Sequence, residues 1–194
     1  MHVAYLNFIP DSDSSEVESY LKESHLPLNL YQDIRNTYSI DLSIIQRALF
    51  STSTIVDDIS YYFISDEFKS ELRWWQEPES TLQAVAKSNP DIIHVIGLDL
   101  PLQFRWLRRI IGEKVIIIGE HTGKTFWAQR NLWLQQFGLR VVDGFIFKNI
   151  SDAQAWIKAS VILERQPFIT IPSLNKNIKD SAKSLIKFYN ELKK

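Results

Sequence analysis

The 194-residue sequence predicts an α/β fold, a doubly wound and mainly parallel sheet of about six to seven strands with helices on both faces, plus a C-terminal helix packing on the domain. Three observations carry this reading. Asn89-Pro90-Asp91-Ile92-Ile93-His94-Val95-Ile96-Gly97 and Lys114-Val115-Ile116-Ile117-Ile118-Gly119 are β-branched runs entered from polar turns and left through glycine, as strands buried on both faces are. Between them, Leu100 to Ile111 opens with Pro101 and closes at Gly112, which suits the first turn and the exit of a helix. Strand-like and helix-like stretches alternate along the rest of the chain, which calls for right-handed crossovers in one sheet.

Taken in order, His2 to Ile9 reads as the first strand and Pro10 to Ser15 as the turn that ends it. Glu16 to Glu23 reads as a helix capped by Ser14 or Ser15, with carboxylates in its first turn where the dipole favours them. Pro27 to Tyr38 is ambiguous; Ile40 to Ile45 alternates like a strand, and aromatic Ile59 to Ile64 is a stronger one. Ser80-Thr81-Leu82-Gln83 has the spacing of a capping box, before a helix that Pro90 stops. After the central strands, Thr125 to Val141 is helical in pattern and Val142 to Phe147 is a strand. Ser151-Asp152-Ala153-Gln154 reads as a second capping box, and Pro167 to Pro172 as the last strand. From Asn175 to Lys194, Ile178, Ala182, Leu185, Tyr189 and Leu192 recur in steps of four and three, one apolar stripe with lysines around it.

Bulk properties narrow the function. A net charge of -1 with 23% charged residues argues against nucleic acid as a partner. Without cysteine there are neither disulfides nor thiolate ligands. The apolar runs fall short of the roughly 18 residues of a membrane helix. The expected location is cytoplasmic, with a membrane-peripheral variant in which Arg105, Arg108 and Arg109 beside Trp106 face anionic lipid; a solvated outer face is the plainer reading of those arginines. No G-x-G-x-x-G or P-loop pattern is present, so nicotinamide and triphosphate cradles are unsupported. Asp91 and Asp143, at strand entrances, are read as turn-shaping, and Asp57-Asp58 as a carboxylate pair out of place for a receiver domain. Trp74 and Trp75 fit either a cleft lining or the core's edge.

In a parallel sheet a ligand sits beyond the carboxyl ends of the strands, where His94, Gly97, Gly119, Glu120, His121 and Gly123 fall. An imidazole at 121 can take a proton from a hydroxyl or hydrogen-bond a ligand, with Glu120 setting its tautomer; the plainer alternative is a loop histidine that caps the next helix. His94, inside an apolar strand, reads first as a satisfied core histidine.

The order Val3-Ala4-Tyr5-Leu6-Asn7, Pro90-Asp91-Ile92-Ile93-His94-Val95-Ile96-Gly97, Gly119-Glu120-His121-Thr122-Gly123, Val142-Asp143-Gly144-Phe145-Ile146-Phe147 and Ile169-Thr170-Ile171-Pro172-Ser173 resembles the N-terminal half of a GT-B glycosyltransferase of the family 4 type. The resemblance implies a Rossmann-like acceptor-side domain over 1–173, facing a second domain that grips a nucleotide-sugar donor. Such enzymes transfer a sugar to an acceptor hydroxyl, commonly without a required metal, so the donor is a substrate and no cofactor is expected. The family's histidine falls on His121 and its Pro-Asp-x-x-His pattern on Pro90, Asp91 and His94, with Glu120, Thr122, Gly123, Lys124, Ser14 and Ser15 as the surrounding substrate-binding candidates. Ser14 and Ser15 stand where the family has a glycine pair, and Ile96 where it often has a second histidine. The donor domain's Arg/Lys pair and paired glutamates do not follow Ser173. Residues 174–194 look instead like the helix that closes such enzymes by crossing back to the first domain. The implied partners are a sugar or lipid-linked acceptor and the missing donor domain, whose docking face would be open to self-association. By itself such a lobe is expected to be inactive, because stabilisation of the leaving diphosphate belongs to the other half. The alternative is a non-catalytic Rossmann-like binding or interaction module.

Overall fold

The computed structural model describes residues 1–9, 17, 21, 28–68, 72–123, 132–172 and 178–194. The expected turn at 10–15 and helix at 16–23 lie almost wholly outside them, as does the start of the helix expected from Thr125. The described elements are β1 (His2–Asn7), α1 (Leu28–Tyr38), β2 (Asp41–Ala48), β3 (Thr52–Val56), β4 (Ile59–Ser65), α2 (Glu79–Ser88), β5 (Ile92–Ile96), α3 (Pro101–Ile111), β6 (Ile116–Glu120), α4 (Leu132–Leu139), β7 (Gly144–Phe147), α5 (Ile150–Lys158), β8 (Phe168–Thr170) and α6 (Ile178–Leu192). They build one eight-stranded sheet in the order β3-β4-β2-β1-β5-β6-β7-β8. Every pairing is parallel except β3 with β4 at one edge.

That edge corrects the expected six to seven strands to eight. Asp57 and Asp58, read as a carboxylate pair, are the two residues of a tight hairpin turn, with φ of 51° and 60°. A two-residue turn with both central residues in the left-handed region matches the twist of the flanking strands, and aspartate tolerates that region.

Helices cover both faces, as a doubly wound sheet requires. On one face Leu30, Tyr31 and Ile34 of α1 and Ala182, Leu185, Phe188 and Tyr189 of α6 pack on Val3, Tyr5, Leu42, Ile44, Ile118 and Ile146. On the other, Leu82 and Val85 of α2, Phe104 and Leu107 of α3, and Ala153 and Trp156 of α5 pack on Leu6, Ile45, Ile93, Val95, Ile117 and Phe145. The stripe at 178–192 therefore faces the sheet, and Lys193 adds an ion pair to Asp91 at 3.2 Å. Asp91 also accepts the His2 N–H at 2.8 Å. That bond, ahead of Lys193, holds its carboxyl below the usual range. The strand-entrance aspartates thus tie neighbouring strand entrances together across the sheet, a longer-range role than the turn shaping expected of them.

Both capping boxes are displaced. Helix α2 starts at Glu79 after Pro78, with no side-chain cap, and Thr81 instead bonds Asp66 from within the helix, Oγ1 to Oδ2 at 2.6 Å. The cap of α5 is Asn149, whose Oδ1 accepts the Asp152 N–H at 2.8 Å, rather than Ser151. Pro101 and Gly112 bound α3 as expected.

The supposed basic face of α3 is not one face. Arg108 is buried, giving hydrogen bonds to the carbonyls of Gly112, Val115 and Val141 and to Asp143. Since Asp143 also accepts the Ile117 N–H at 2.7 Å, this guanidinium is a clamp closing the β6–β7 end of the sheet. Arg105 lies over the Phe137 ring and Arg109 pairs with Glu77 at 2.6 Å.

Candidate functional site

Strand order reverses direction between β1 and β5, because β1 leads outward through β2 to β4 while β5 returns to its other side and leads through β6 to β8. Beyond the carboxyl ends of the strands flanking such a reversal, the loops diverge and leave a crevice. In register there stand Gln46, Asn7, Ile96 and Glu120, on β2, β1, β5 and β6. The loop leaving β1 is held by Asn7, which accepts the Ile9 N–H at 3.0 Å, and by Gln46, which donates to the Ile9 carbonyl at 2.9 Å. Gly97, with φ of 90°, donates its N–H to the Glu120 carbonyl at 2.9 Å, so the β5 exit is bolted to the end of β6. A side chain at 97 would have to adopt that left-handed conformation at a strain cost.

Consecutive residues leaving a strand point to opposite faces, and this separates Glu120 from His121. Glu120 turns to the α1/α6 face, where its Oε2 lies 3.1 Å from Nε2 of His94; the contact is within ion-pair range but off the ring's N–H axis. Nδ1 of His94 meets the Tyr189 hydroxyl at 2.7 Å. His94 is thus a fully buried core histidine, as read, but one in contact with a carboxylate of the edge.

His121 turns to the α5 face. It is only 4% exposed, its ring packed 5.4 Å from that of Phe147 and 5.3 Å from that of Trp156, with Nδ1 3.6 Å from Asp152 Oδ2. The expectation that Glu120 sets its tautomer is therefore corrected: Glu120 faces the other side of the sheet, and the carboxylate at Nδ1 among the described residues is Asp152, in the first turn of α5. Beside it the Thr122 carbonyl accepts Lys148 Nζ at 2.8 Å, and Gly123, with φ of 96°, takes a backbone conformation that side-chain-bearing residues rarely adopt. Lys124, Ser14 and Ser15 lie outside the described residues.

Of the sequence-derived candidates, the structure brings Glu120, His121, Thr122 and Gly123 together at the carboxyl edge and adds Asn7, Gln46, Lys148 and Asp152. Lys148 and Asp152 follow β7, the neighbour of β6, so topology alone could have placed them. His2 meets the Ser43 hydroxyl at 2.9 Å. Trp74 and Trp75 form an exposed edge-to-face pair at 5.3 Å. Their loop is pinned to α3 by Gln103, which donates to the Gln76 carbonyl at 3.0 Å.

No protein-family profile matches the chain, and no curated protein does. Among solved structures it is similar to one named sucrose-phosphate synthase, 27–220 and 406–426, from Thermosynechococcus elongatus. The TM-score is 0.67 at 11% identity, over 99% of each chain. Likeness at that identity establishes a shared fold: this chain has the Rossmann-like α/β architecture of that piece.

Proposed function

We propose that this chain is the acceptor-side lobe of a GT-B glycosyltransferase, binding a hydroxyl-bearing sugar or lipid-linked acceptor at the crevice beside Glu120 while a separate lobe grips the nucleotide-sugar donor. The observation that carries the reading is the polar carboxyl edge at the strand reversal, where a carboxylate, Glu120, and two carboxamides, Asn7 and Gln46, stand in register at the ends of β6, β1 and β2. The fold supports it: the neighbour of the same architecture is named a sucrose-phosphate synthase. In this reading the groups that stabilise a leaving diphosphate belong to the donor lobe, so turnover needs it.

Glu120 is the group chemically suited to accept a hydrogen bond from an acceptor hydroxyl, and Asn7 and Gln46 are suited to orient it. His121 is the weaker candidate. Its burial between Phe147 and Trp156 favours the second reading, in which this histidine is scaffold and the domain a non-catalytic binding module.

Two titrations of the isotope-labelled chain test the reading. Free hexoses and hexose phosphates are expected to move the amide resonances of 97–99 and 120–123, whereas UDP-glucose and GDP-mannose show no saturable binding below the millimolar range. Micromolar binding of a nucleotide-sugar, or sugar-induced shifts confined to the amino edge of the sheet, would overturn it.

A further inference from the structure

Behind Glu120 runs a buried line of side chains from three distant parts of the chain. Tyr5 on β1, His94 on β5 and Tyr189 on α6 are each 2% exposed or less. The hydroxyls of Tyr5 and Tyr189 lie 3.0 Å apart, and that of Tyr189 lies 2.7 Å from His94 Nδ1. On the far side of the ring, Nε2 stands 3.1 Å from Glu120 Oε2. Tyr31 of α1 packs on the Tyr5 ring at 4.4 Å and closes the line off from solvent. Burial, ahead of any other cause, pushes the ionisation of both Tyr5 and Tyr189 upward, so both hydroxyls keep their protons.

A neutral ring beside the Glu120 carboxylate has two tautomers open to it. In one, Tyr5 donates to Tyr189, Tyr189 donates to Nδ1, and the ring's proton sits on Nε2 beside the carboxylate. In the other the donors are reversed, and a bare Nε2 lone pair faces a carboxylate oxygen at 3.1 Å. Lone pair against anion is repulsive, and the low dielectric of a buried site magnifies the repulsion.

We propose that Tyr189 and Glu120 hold His94 between them as its Nε2–H tautomer, and that this ring in turn positions the Glu120 carboxylate at the crevice, making the C-terminal helix a working part of the site. Tyr189 and His94 are positioning residues here: they touch the carboxylate's supports and no ligand. An Nε2–H within 3.1 Å of one carboxylate oxygen attracts it electrostatically and so fixes where the carboxylate lies, the way a buried second group tunes a ligand-facing one. The inference rests on the acceptor-site reading for its consequence, but its core concerns the free chain.

The test is a two-bond 15N–1H correlation spectrum of the histidine-labelled chain near neutral pH, with hexose-phosphate titrations of the same samples. Wild-type His94 is expected with Nε2 protonated and Nδ1 bare and hydrogen-bonded. In Tyr189→Phe the Nδ1 resonance moves to that of an unbonded ring nitrogen and sugar affinity falls about 10-fold, the loss of roughly one hydrogen bond. Tyr5→Phe, which leaves the Tyr189 donation in place, keeps both. A wild-type ring protonated on Nδ1, or on both nitrogens, overturns the proposal even if Tyr189→Phe fails to fold, and so does an Nδ1 resonance that Tyr189→Phe leaves unmoved. If the ring behaves as expected but Tyr189→Phe binds sugar as wild type does, positioning is refuted while the acceptor reading stands. If no variant binds sugar, the acceptor reading fails and the ring spectrum still decides the tautomer.

Discussion

At the scale of single residues, Arg47 is a charged group fully buried at the end of β2. Its guanidinium stands 3.5 Å from Asp66 and donates to the Phe68 carbonyl at 2.6 Å, while burial draws its pKa down despite the opposing pull of Asp66. Asp66 in turn holds Thr81 through both the backbone N–H and the hydroxyl, so one carboxylate joins the β4 exit to α2. Removing one partner of a buried pair strands the other charge away from water, which costs about 3–5 kcal/mol. Asp66→Ala is therefore expected to lose that much in urea unfolding. A loss below about 1 kcal/mol would mean that the guanidinium finds solvent, and that the cluster contributes little. His121 obeys the same logic with less at stake, since its ring has aromatic neighbours and can be scaffold without being charged.

At the scale of elements, the two displaced caps show what a sequence window conveys and what it omits. Asn149 and Ser151 both precede Asp152 at plausible offsets, and only the backbone decides between them: Asn149 sits in the extended conformation that an N-cap needs, with φ of -151° and ψ of 163°. Asn149→Ala is expected to cost about 1 kcal/mol and Ser151→Ala a few tenths at most, as read from chemical denaturation. Equal costs would restore the cap to Ser151. The strands at 92–96 and 116–120 were legible because their apolar runs are unbroken on both faces, whereas β3 was not, since its residues are largely exposed and carry no core-facing alternation. The site was legible to the level of the loop. Gly119, Glu120 and His121 were placed at the right edge, yet the pairing of Glu120 with His94 depends on which face each residue takes, and that follows from register rather than from adjacency. The close seating of α4 on α3 was likewise hidden. It requires Gly138, because a Cβ there would run into the Pro101 backbone.

At the scale of the whole molecule, the α1/α6 face carries an alkaline weakness built from residues at both ends and the middle of the chain. Tyr61 is pushed up to about 12 by burial first and by Asp57 second, and Tyr5 and Tyr189 are raised chiefly by burial as well. In the unfolded chain each of these phenols ionises near 10. Below that pH both states are protonated and the full stability is present. Above it the unfolded chain releases protons that the folded chain still holds, so stability falls with rising pH until the folded groups titrate in turn. Each such tyrosine takes away about 1.4 kcal/mol per pH unit over that window. Urea midpoints followed by circular dichroism are thus expected to hold steady up to about pH 10 and to drop steeply above it, with Tyr61→Phe flattening the slope by one tyrosine's share up to about 12. Tyr5 and Tyr189 link β1 to α6, and the first proton lost from that pair leaves a phenolate inside the buried line, a charge that burial penalises. The C-terminal helix should then separate from the sheet before the far face melts, and amide exchange of 178–192 should accelerate ahead of 101–111. Simultaneous exchange of both helices would show that the line from Tyr5 to His94 is not what holds the helix in place.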